Sequence, residues 1–369
     1  MNQPIMKIAL SGYYGFDNAG DEALLAAITS SLQRLQPEAE FVVFSGNPSK
    51  TSSLHGFRAV YHKNPLAVIH ELCGCELLIS GGGSIFQDIT SPFSLPYYIS
   101  VVVLAKLLRK PVVFYAQGVG PINRAFSRLL MRLVANRVDL ITLRDSASSQ
   151  FLYEMGIRRP PMLVTADPVF SLEPKASDQA RIEGLLVSYG IGDQPLIGVA
   201  VRKWRALDGY QEILAKVLDG LAQRGYQIIF VPMSYPEDVT ESLRVAGLMN
   251  RGAIVLDQHI TSQEHLALIA HLELMIAMRL HALIFAANRG IPFAGISYDP
   301  KVDAFLNCFD QKPLSLELPD MTRQVDALLE DTNLQASIRL KSEELRSKAA
   351  QNARLALSLM KRDSSLSSE

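Results

Sequence analysis

Short apolar runs alternate with longer helical patterns along most of the chain, and this alternation constrains the fold more than any other feature. Strands that alternate with helices in this way indicate strand-helix-strand units around a parallel sheet. The first half contains six runs of strand type: Lys7 to Leu10, Phe41 to Phe44, Leu77 to Ser80, Val112 to Ala116, Leu140 to Leu143 and Met162 to Thr165. The first half therefore predicts one doubly wound sheet.

A second series of strand patterns follows a stretch near Pro174 that loses periodicity. Its members are Leu196 to Val201, Gln227 to Val231, Ala253 to Leu256, Leu274 to Ala277 and Pro292 to Ser297. We predict an N-terminal Rossmann-like domain over residues 1–170, a linker and helix over 171–194, a C-terminal Rossmann-like domain over 195–362 and a flexible tail over 363–369. Two such α/β domains in tandem are the GT-B layout, in which an interdomain cleft binds the ligands.

Composition and charge argue against several classes of function. Lys and Arg total 36 against 37 Asp and Glu, so the formal net charge of -1 gives no global basic excess for a nucleic acid. The longest apolar run, Tyr97 to Leu108, falls short of the ~20 residues that a spanning helix needs. No signal-peptide pattern precedes the first strand. We therefore expect a cytoplasmic protein with no nucleic-acid partner.

Three cysteines, Cys73, Cys75 and Cys308, are too few and too scattered for a disulfide framework. The Cys73-Gly74-Cys75 segment lacks a second Cys or His pair at the spacing of metal ligands. Buried structural thiols are the simpler interpretation. We expect a reducing compartment and no metal.

The first strand leads into a glycine-rich loop, Ser11 to Glu22, that lacks the spacing of a dinucleotide-binding fingerprint. Two acidic residues at the start of the following helix would repel a phosphate placed there. We interpret Asp17, Asn18 and Asp21 as candidates for a sugar-hydroxyl or general-base site. The alternative is that Asp21 simply caps the helix.

Two further loops of the first half could contact an anion. Gly81-Gly82-Gly83-Ser84 follows the third strand, and its glycines allow close backbone approach and offer free N–H groups. A tight turn is the alternative for this segment. Arg144 stands where the strand Leu140 to Leu143 leaves the sheet, a position that suits a phosphate or carboxylate. Its alternative is a surface pair with Asp145.

The run Arg279-Leu280-His281 follows a strand of the second half and precedes an apolar helix. This junction places a permanent cation and an imidazole two residues apart. Histidine suits proton transfer because its unperturbed pKa lies near neutral pH. A histidine that only caps the helix is the alternative.

Two segments beside that junction carry further cations. Val201 to Arg205 includes Arg202 and the only tryptophan, Trp204, so it could hold a phosphate beside a stacked sugar ring. Lys301 follows the last strand pattern. A solvated edge explains either segment equally well.

Arg124, Arg128 and Arg132 recur every four residues beside an apolar face. They form one basic stripe on a helix. The stripe could contact a membrane surface or a lipid diphosphate, or it could be the solvated face of a helix that packs on the sheet.

In their joint order these segments resemble the polysaccharide pyruvyl transferase family, in particular its subgroup linked to secondary cell-wall polymers and S-layer anchoring. The likeness covers nearly the whole chain and is carried by Ser11 to Leu24, Gly81 to Asp88, Leu143 to Ser146, Val201 to Trp204 and Arg279 to His281. The resemblance implies a GT-B-like fold and phosphoenolpyruvate as a co-substrate, with no cofactor. It also implies an acceptor sugar whose two hydroxyls become bridged as a pyruvate ketal.

In the cell-wall subgroup the acceptor is typically a lipid-linked saccharide that bears N-acetylmannosamine, which implies a possible place at the inner face of the plasma membrane. By matching position, the resemblance implies a donor site of Arg144, Arg279, Leu280 and His281. To these we add Lys301, Gly82, Gly83 and Ser84 on the donor side, His281 and Asp17 as catalytic residues, and Asn18, Asp21, Arg202 and Trp204 on the acceptor side.

The residue types fit this chemistry. Two arginines can clamp the carboxylate and phosphate of phosphoenolpyruvate, and an acid such as His281 can protonate its methylene carbon. Two alternatives stay open. One is a GT-B nucleotide-sugar glycosyltransferase, for which Glu273 and Asp299 are the nearest acids that could grip a ribose. The other is a non-catalytic saccharide-binding protein that retained the fold.

Overall fold

The computed structural model describes residues 6–89, 91–204, 207 and 209–366, with side chains described up to residue 360. Arg205 and the end of the predicted tail, residues 367–369, lie outside the described residues. The chain divides into two compact units. Unit 1 contains the chain up to Asp17, Asp21–Leu172 and the chain from Leu345 onward, and unit 2 contains Asn18–Gly20 and Glu173–Glu344.

Unit 1 is a parallel sheet of seven strands with helices between them. The strands are Lys7–Tyr14 (β1), Glu40–Ser45 (β2), Arg58–Tyr61 (β3), Leu77–Gly81 (β4), Val112–Gln117 (β5), Leu140–Leu143 (β6) and Met162–Val164 (β7). The connecting helices are Ala19–Leu35 (α1), Pro48–His55 (α2), Pro65–Gly74 (α3), Ser94–Leu107 (α4), Ala125–Ala135 (α5) and Ser146–Glu154 (α6). A short 3-10 helix, Pro168–Ser171, follows β7, and the chain leaves unit 1 after Leu172.

The strand order β3-β2-β1-β4-β5-β6-β7 reverses between β1 and β4. In such sheets ligands bind outside the carboxyl ends of the strands at the point of reversal. All six predicted strands are confirmed, and β3 is an additional edge strand that the sequence analysis missed. Its four residues are exposed or half-buried, so the apolar run that marks a central strand is absent.

Unit 2 holds a parallel sheet of five strands in the order β10-β9-β8-β11-β12, which reverses between β8 and β11. The strands are Leu196–Ala200 (β8), Gln227–Phe230 (β9), Ile254–Val255 (β10), Leu272–Ala277 (β11) and Phe293–Gly295 (β12). The helices are Ala176–Ser188 (α7), Tyr210–Gln223 (α8), Glu237–Ala246 (α9), Ser262–Ile269 (α10), Leu280–Arg289 (α11), Pro300–Cys308 (α12) and Leu318–Glu330 (α13). The second predicted doubly wound sheet is therefore confirmed.

The C-terminal helix, Leu334–Leu366 (α14), corrects the predicted domain boundaries. We assigned residues 195–362 to the C-terminal domain, but the chain from Leu345 onward belongs to unit 1. The reason is packing, because Ala353 and Ala356 are fully buried in the core that contains Ile8 and Leu10 of β1. The helix also continues to Leu366, so residues 363–366 of the predicted tail are helical.

Asn352 anchors this helix inside unit 1, where its side chain is fully buried. Its Oδ1 accepts a hydrogen bond from Thr165 Oγ1 at 2.8 Å, and its Nδ2 donates to the carbonyl oxygens of Ala166 at 3.2 Å and Ala349 at 3.0 Å. Asn352→Leu removes the buried hydrogen bond to the Ala166 carbonyl oxygen and leaves Thr165 Oγ1 with only its 3.1 Å bond to the carbonyl oxygen of Leu143, so we expect the free energy of unfolding to fall by about 1–3 kcal/mol. Urea denaturation measures it.

The neighbouring exposed residue supplies the control for that variant. Gln351→Leu places the same side chain one position earlier on an exposed part of α14, and we expect its stability to match that of the wild type. Equal urea midpoints for the Asn352 and Gln351 variants would contradict the anchoring role of Asn352.

The cysteines only partly match the expectation of buried thiols. Cys75 is buried, whereas Cys73 and Cys308 are exposed. Cys73 follows Leu72, which lies on the buried face of α3, and a helix turns by about 100° per residue, so the next side chain leaves that face.

Candidate functional site

The loop that follows β4 lies against the start of α1 in unit 1. Gly82 and Gly83 have φ angles of 97° and 69°, in the left-handed region that favours glycine. A Cβ atom on Gly83 would lie 3.0 Å from Asp21 Oδ1, and one on Gly82 would lie 3.1 Å from the hydroxyl of Tyr14. The structure thus brings Asp21 and the predicted glycine loop together at the point where the strand order reverses.

Tyr14, at the end of β1, links this strand to the end of β4 inside unit 1. Its hydroxyl is fully buried and donates a 2.6 Å hydrogen bond to the carbonyl oxygen of Gly81. Burial, followed by the nearby carboxylates of Asp21 and Glu22, raises the pKa of Tyr14 well above its usual range. The hydroxyl therefore stays protonated as a donor, and its position is fixed.

Asp17 lies in the loop between β1 and α1. It adopts a left-handed backbone conformation with φ 57°, and its Oδ1 forms an ion pair with Lys50 Nζ of α2. Glu22 secures the loop further, since its carboxylate accepts from the backbone N–H of Gly15 at 2.7 Å and lies 2.7 Å from His55 Nε2. The catalytic role of Asp17 stays a prediction, and Lys50 is a partner that the sequence did not suggest.

Arg144 is buried rather than part of a surface pair. Its Nη1 donates to Asp167 Oδ2 at 2.9 Å, and its Nη2 donates to Ser84 Oγ at 3.0 Å. By contrast, its Nε lies 4.0 Å from Oδ2 of Asp145. Gly118 makes room for the guanidinium, because a Cβ atom there would lie 2.7 Å from Arg144 Nε. Two predicted donor residues, Arg144 and Ser84, are in direct contact.

Arg279 lies between β11 and α11 in unit 2 and is held by a buried carboxylate. Its Nε donates to Asp238 Oδ2 at 2.7 Å, and its Nη2 donates to Asp238 Oδ1, so the pair is bidentate. The side chain of Asp238 is 1% exposed. Asp238 also accepts from the backbone N–H groups of Met233 and Ser234, at 3.2 and 3.0 Å. Such a pair fixes the plane of the guanidinium.

The segment Asn18–Gly20 packs into unit 2 beside this pair. Asn18 forms a β-bridge with Ser234, and the N–H of Ala19 donates to the carbonyl oxygen of Met233 at 2.8 Å. A Cβ atom on Gly20 would lie 2.1 Å from Nδ1 of His281. The glycine is therefore required for the close approach of the α1 terminus to the imidazole ring.

Hydrogen bonds from α10 support the same segment. Ser262 Oγ donates to the carbonyl oxygen of Ala19 at 2.8 Å. His265 is fully buried and lies within 3.1 Å of the carbonyl oxygens of Thr261 and Pro232, and burial lowers its pKa. Residues of α10 thus hold both the Asn18–Gly20 segment, through Ser262, and the loop after β9 that pairs with it, through His265.

Arg202, Trp204 and Lys301 lie around Tyr298, which the sequence analysis did not include among the site residues. The guanidinium of Arg202 lies 5.2 Å from the ring centre of Trp204 and 5.0 Å from that of Tyr298, and it donates to the Tyr298 hydroxyl at 3.0 Å. Lys301 Nζ lies 5.9 Å from the same ring and 3.2 Å from Asp299. Cations above aromatic rings form a platform suited to a sugar ring or an anion.

The remaining donor candidate of unit 2, Leu280, is buried in the first turn of α11. Sequence reasoning missed both carboxylates that hold the arginines, Asp238 and Asp167. The available signal for Asp238 was its place in the first turn of α9, the helix that follows β9 of the same sheet. Asp167 caps the 3-10 helix, where its side chain accepts from the N–H of Val169, and nothing in the local pattern links it to Arg144.

Metal-binding clusters and membrane-spanning helices are both absent from the described residues. No group of three or more His, Cys, Asp and Glu side chains among the described residues could hold a metal ion. None of the helices in the described part of the chain is long and apolar enough to cross a membrane.

Comparison with known families decides what this arrangement belongs to. The sequence model of one family, described as polysaccharide pyruvyl transferase, matches residues 18–300. The chain belongs to the polysaccharide pyruvyl transferase family. It is therefore an enzyme, a pyruvyltransferase of polysaccharide biosynthesis, and the alternative of a non-catalytic saccharide-binding protein is set aside. The matched range includes Asn18–Gly20 and Arg279–His281.

Among known proteins, this pyruvyl transferase is similar to the amylovoran biosynthesis protein AmsJ of Erwinia amylovora, with 24% identity over 384 positions that cover 88% of this chain and 89% of AmsJ. HepE of Anabaena in complex with UDP-glucose superposes with a TM-score of 0.64 at 16% identity, over 97% of this chain and 100% of HepE. The UDP-GlcNAc 2-epimerase of Neisseria meningitidis bound to UDP-GlcNAc gives a TM-score of 0.62 at 12% identity, over 95% and 99%. These structures show the fold alone, which is of the GT-B type.

Proposed function

We propose that this pyruvyltransferase uses phosphoenolpyruvate as its donor and bridges two hydroxyls of an acceptor sugar as a pyruvate ketal. The observation that carries the proposal is the arrangement of Arg279 and His281, with the guanidinium fixed by Asp238 and the imidazole packed against Gly20. A fixed guanidinium matches the planar carboxylate or the phosphate of the donor. A histidine two residues away supplies a proton donor at the same junction.

The proposed reaction balances as follows. His281 protonates the methylene carbon of phosphoenolpyruvate, which becomes a methyl group and leaves an oxocarbenium-like centre for the first sugar hydroxyl to attack. The C–O bond to phosphate then breaks, inorganic phosphate leaves, and the second hydroxyl attacks the same carbon. Of the two hydroxyl protons, one replaces the proton that His281 gave up and the other is taken up by the departing phosphate, which leaves as HPO4²⁻. Arg279 offsets the donor's negative charge throughout.

Unit 1 offers a second anion-binding candidate in Arg144. Asp167 already balances its charge, and Ser84 and Gly118 fix its position. We propose that Arg144 and the N–H groups of Gly82 and Gly83 belong to the donor side, as predicted from the sequence; Asp167 balances the charge of Arg144 in unit 1 as Asp238 balances that of Arg279 in unit 2.

For the acceptor we propose a lipid-linked cell-wall saccharide that bears N-acetylmannosamine. The cluster of Arg202, Trp204 and Tyr298 supports a sugar-binding role, because the two ring centres lie 4.8 Å apart beside a cation. A role of Asn18 and Asp21 toward the acceptor hydroxyls is part of the same proposal. A lipid-linked acceptor would place the enzyme at the inner face of the plasma membrane.

The direct test supplies phosphoenolpyruvate and a panel of acceptors, including N-acetylmannosamine-terminated saccharides, in D₂O. We expect inorganic phosphate and ketal to form in equal amounts, with one deuterium in each pyruvyl methyl group. Ketal without deuterium would contradict protonation at the methylene carbon. Transfer only to acceptors that lack N-acetylmannosamine would contradict the acceptor part of the proposal and leave the donor part standing.

Gly20→Ala tests the close approach of Gly20 to His281. A methyl group at this position must displace the ring of His281, so we expect kcat to fall by about 10- to 100-fold. The added methyl group would also lie 2.9 Å from the Cβ atom of His281, so we expect the clash to lower the melting temperature as well, and kcat is therefore measured well below the melting transition of each variant. The matched control is Gly220→Ala in α8, where a Cβ atom would meet nothing within 4 Å. Equal kcat values for the two variants would contradict the close approach of Gly20 to His281.

The second candidate function is transfer from a nucleotide sugar. It is favoured by the fold, since HepE is described in complex with UDP-glucose. The acids that could grip a ribose argue against it: Glu273 is exposed on β11, and Asp299 caps α12 and pairs with Lys301. Transfer of glucose from UDP-glucose in the same assay, with no phosphate released from phosphoenolpyruvate, would replace the proposal.

A further inference from the structure

Helix α5 of unit 1 presents an apolar stripe to solvent. Phe126, Leu129 and Leu133 are 68%, 54% and 48% exposed. Their spacing of three and four residues places them on one face of the helix. The opposite face, with Ser127, Met131, Val134 and Ala135, packs into the core. The helix therefore has an apolar face that is buried in the core and a second apolar stripe that is exposed to solvent.

Arginines border this stripe along the helix and at its end. Arg128 and Arg132 are exposed and recur one turn apart, next to the apolar residues. At the C-terminal end, Asn136 Oδ1 accepts the backbone N–H groups of Arg158 and Arg159, at 3.0 and 3.1 Å, which fixes these two exposed arginines beside α5. We call Phe126, Leu129 and Leu133 together with Arg128, Arg132, Arg158 and Arg159 the α5 surface.

Acidic residues are absent from the segment that carries α5. Residues 89–138 contain seven Lys and Arg residues and no Asp or Glu. The flanking carboxylates are engaged elsewhere: Asp88 is buried and accepts the backbone N–H groups of Asn123 and Arg124, and Asp139 pairs with Lys106. Glu154, four residues before Arg158 in the chain, is exposed and accepts a hydrogen bond from Gln150.

The neighbouring helix extends the apolar character. α4 packs against α5, and its Val103 and Leu107 are 36% and 74% exposed. Exposed apolar side chains are normal when single, but several on adjacent helices mark an interaction surface. A nucleic acid would pair with the arginines and leave the phenylalanine and leucines in water, whereas an anionic bilayer accepts both at its interface.

We infer that the α5 surface docks this enzyme on anionic lipid bilayers, with Phe126, Leu129 and Leu133 in the interfacial region and the arginines against the headgroups. The inference rests on exposure and charge in unit 1 and does not depend on the identity of donor or acceptor. It predicts a membrane orientation for unit 1 whatever sugar the enzyme modifies.

Vesicle sedimentation of the full chain tests this docking. Wild type should bind vesicles of phosphatidylcholine mixed with phosphatidylglycerol and bind vesicles of pure phosphatidylcholine at least tenfold more weakly. Phe126→Ser/Leu129→Ser/Leu133→Ser and, separately, Arg128→Gln/Arg132→Gln should each lower binding to the mixed vesicles by about tenfold or more. Leu340→Ser, at another exposed leucine in α14, is the matched control and should bind as the wild type does.

Fluorescence gives an independent readout because Trp204 is the only tryptophan. In a Trp204→Phe background, Leu129→Trp should show a blue-shifted emission with the mixed vesicles and an unchanged emission with inorganic phosphate. Melting curves establish that each variant is folded. Unchanged vesicle binding of both multiple variants, equal binding to neutral vesicles, or a wild-type dimer that the triple serine variant dissociates in the absence of vesicle binding would each overturn the inference.

Discussion

His281→Gln is expected to lower kcat by about 10²- to 10⁴-fold, which is the usual contribution of a positioned general acid. Glutamine keeps a polar side chain of similar length but cannot donate a proton to carbon. Arg279 and Asp238 remain in place, so the affinity for phosphoenolpyruvate should change little. The measurement is steady-state release of phosphate together with calorimetric titration of phosphoenolpyruvate.

His271→Gln serves as the control, because His271 is exposed between α10 and β11 and takes no part in the proposed site. It should retain the wild-type kcat. If His281→Gln also retained full turnover, proton transfer by His281 would be excluded. If it lost affinity for phosphoenolpyruvate at unchanged kcat, the residue would bind the donor without acting as an acid.

Asp238→Ala is expected to lower the free energy of unfolding by about 3–5 kcal/mol, because it leaves Arg279 charged in a largely buried position without its partner. The carboxylate is 1% exposed and Arg279 is 15% exposed, so solvent screens this pair only weakly. The N–H groups of Met233 and Ser234 lose their acceptor as well. Affinity for phosphoenolpyruvate should fall too, since the guanidinium is no longer held in one plane.

The adjacent residue provides the matched control. Glu237 is exposed in the first turn of the same helix, so Glu237→Ala should change the urea midpoint little. The double variant Asp238→Leu/Arg279→Met removes both charges and should recover part of the stability while donor binding stays lost. A stable Asp238→Ala variant with wild-type affinity would contradict the role of Asp238 as the residue that positions Arg279.

The sequence predicted the two sheets because central parallel strands are continuous apolar runs. Strand β3 escaped detection, since an edge strand with Arg58 and Tyr61 exposed carries no such run. The return of α14 to unit 1 escaped for a different reason. Ala353 and Ala356 pack into a core whose strands lie more than 200 residues earlier in the chain, and Asn352 bonds to Thr165, 187 residues earlier, so no local pattern records that pairing.

The candidate site shows the same division between local and long-range information. Arg144 and Arg279 were found because each follows a strand at a carboxyl edge. Their partners, Asp167 and Asp238, are 23 and 41 residues away along the chain and were not found. Likewise, the sequence singled out both Asn18 and His281, but only the fold brings Asn18–Gly20 into unit 2 beside that ring.

Selective binding of the donor tests the central claim most directly. Thermal unfolding of wild type and of Arg279→Lys, which leaves a charge for Asp238, is measured with phosphoenolpyruvate, inorganic phosphate, UDP and UDP-N-acetylglucosamine. The account predicts saturable stabilisation of the wild type by phosphoenolpyruvate alone, and its loss in Arg279→Lys, because lysine cannot replace a bidentate guanidinium. Stabilisation by the uridine ligands without any by phosphoenolpyruvate would contradict the account.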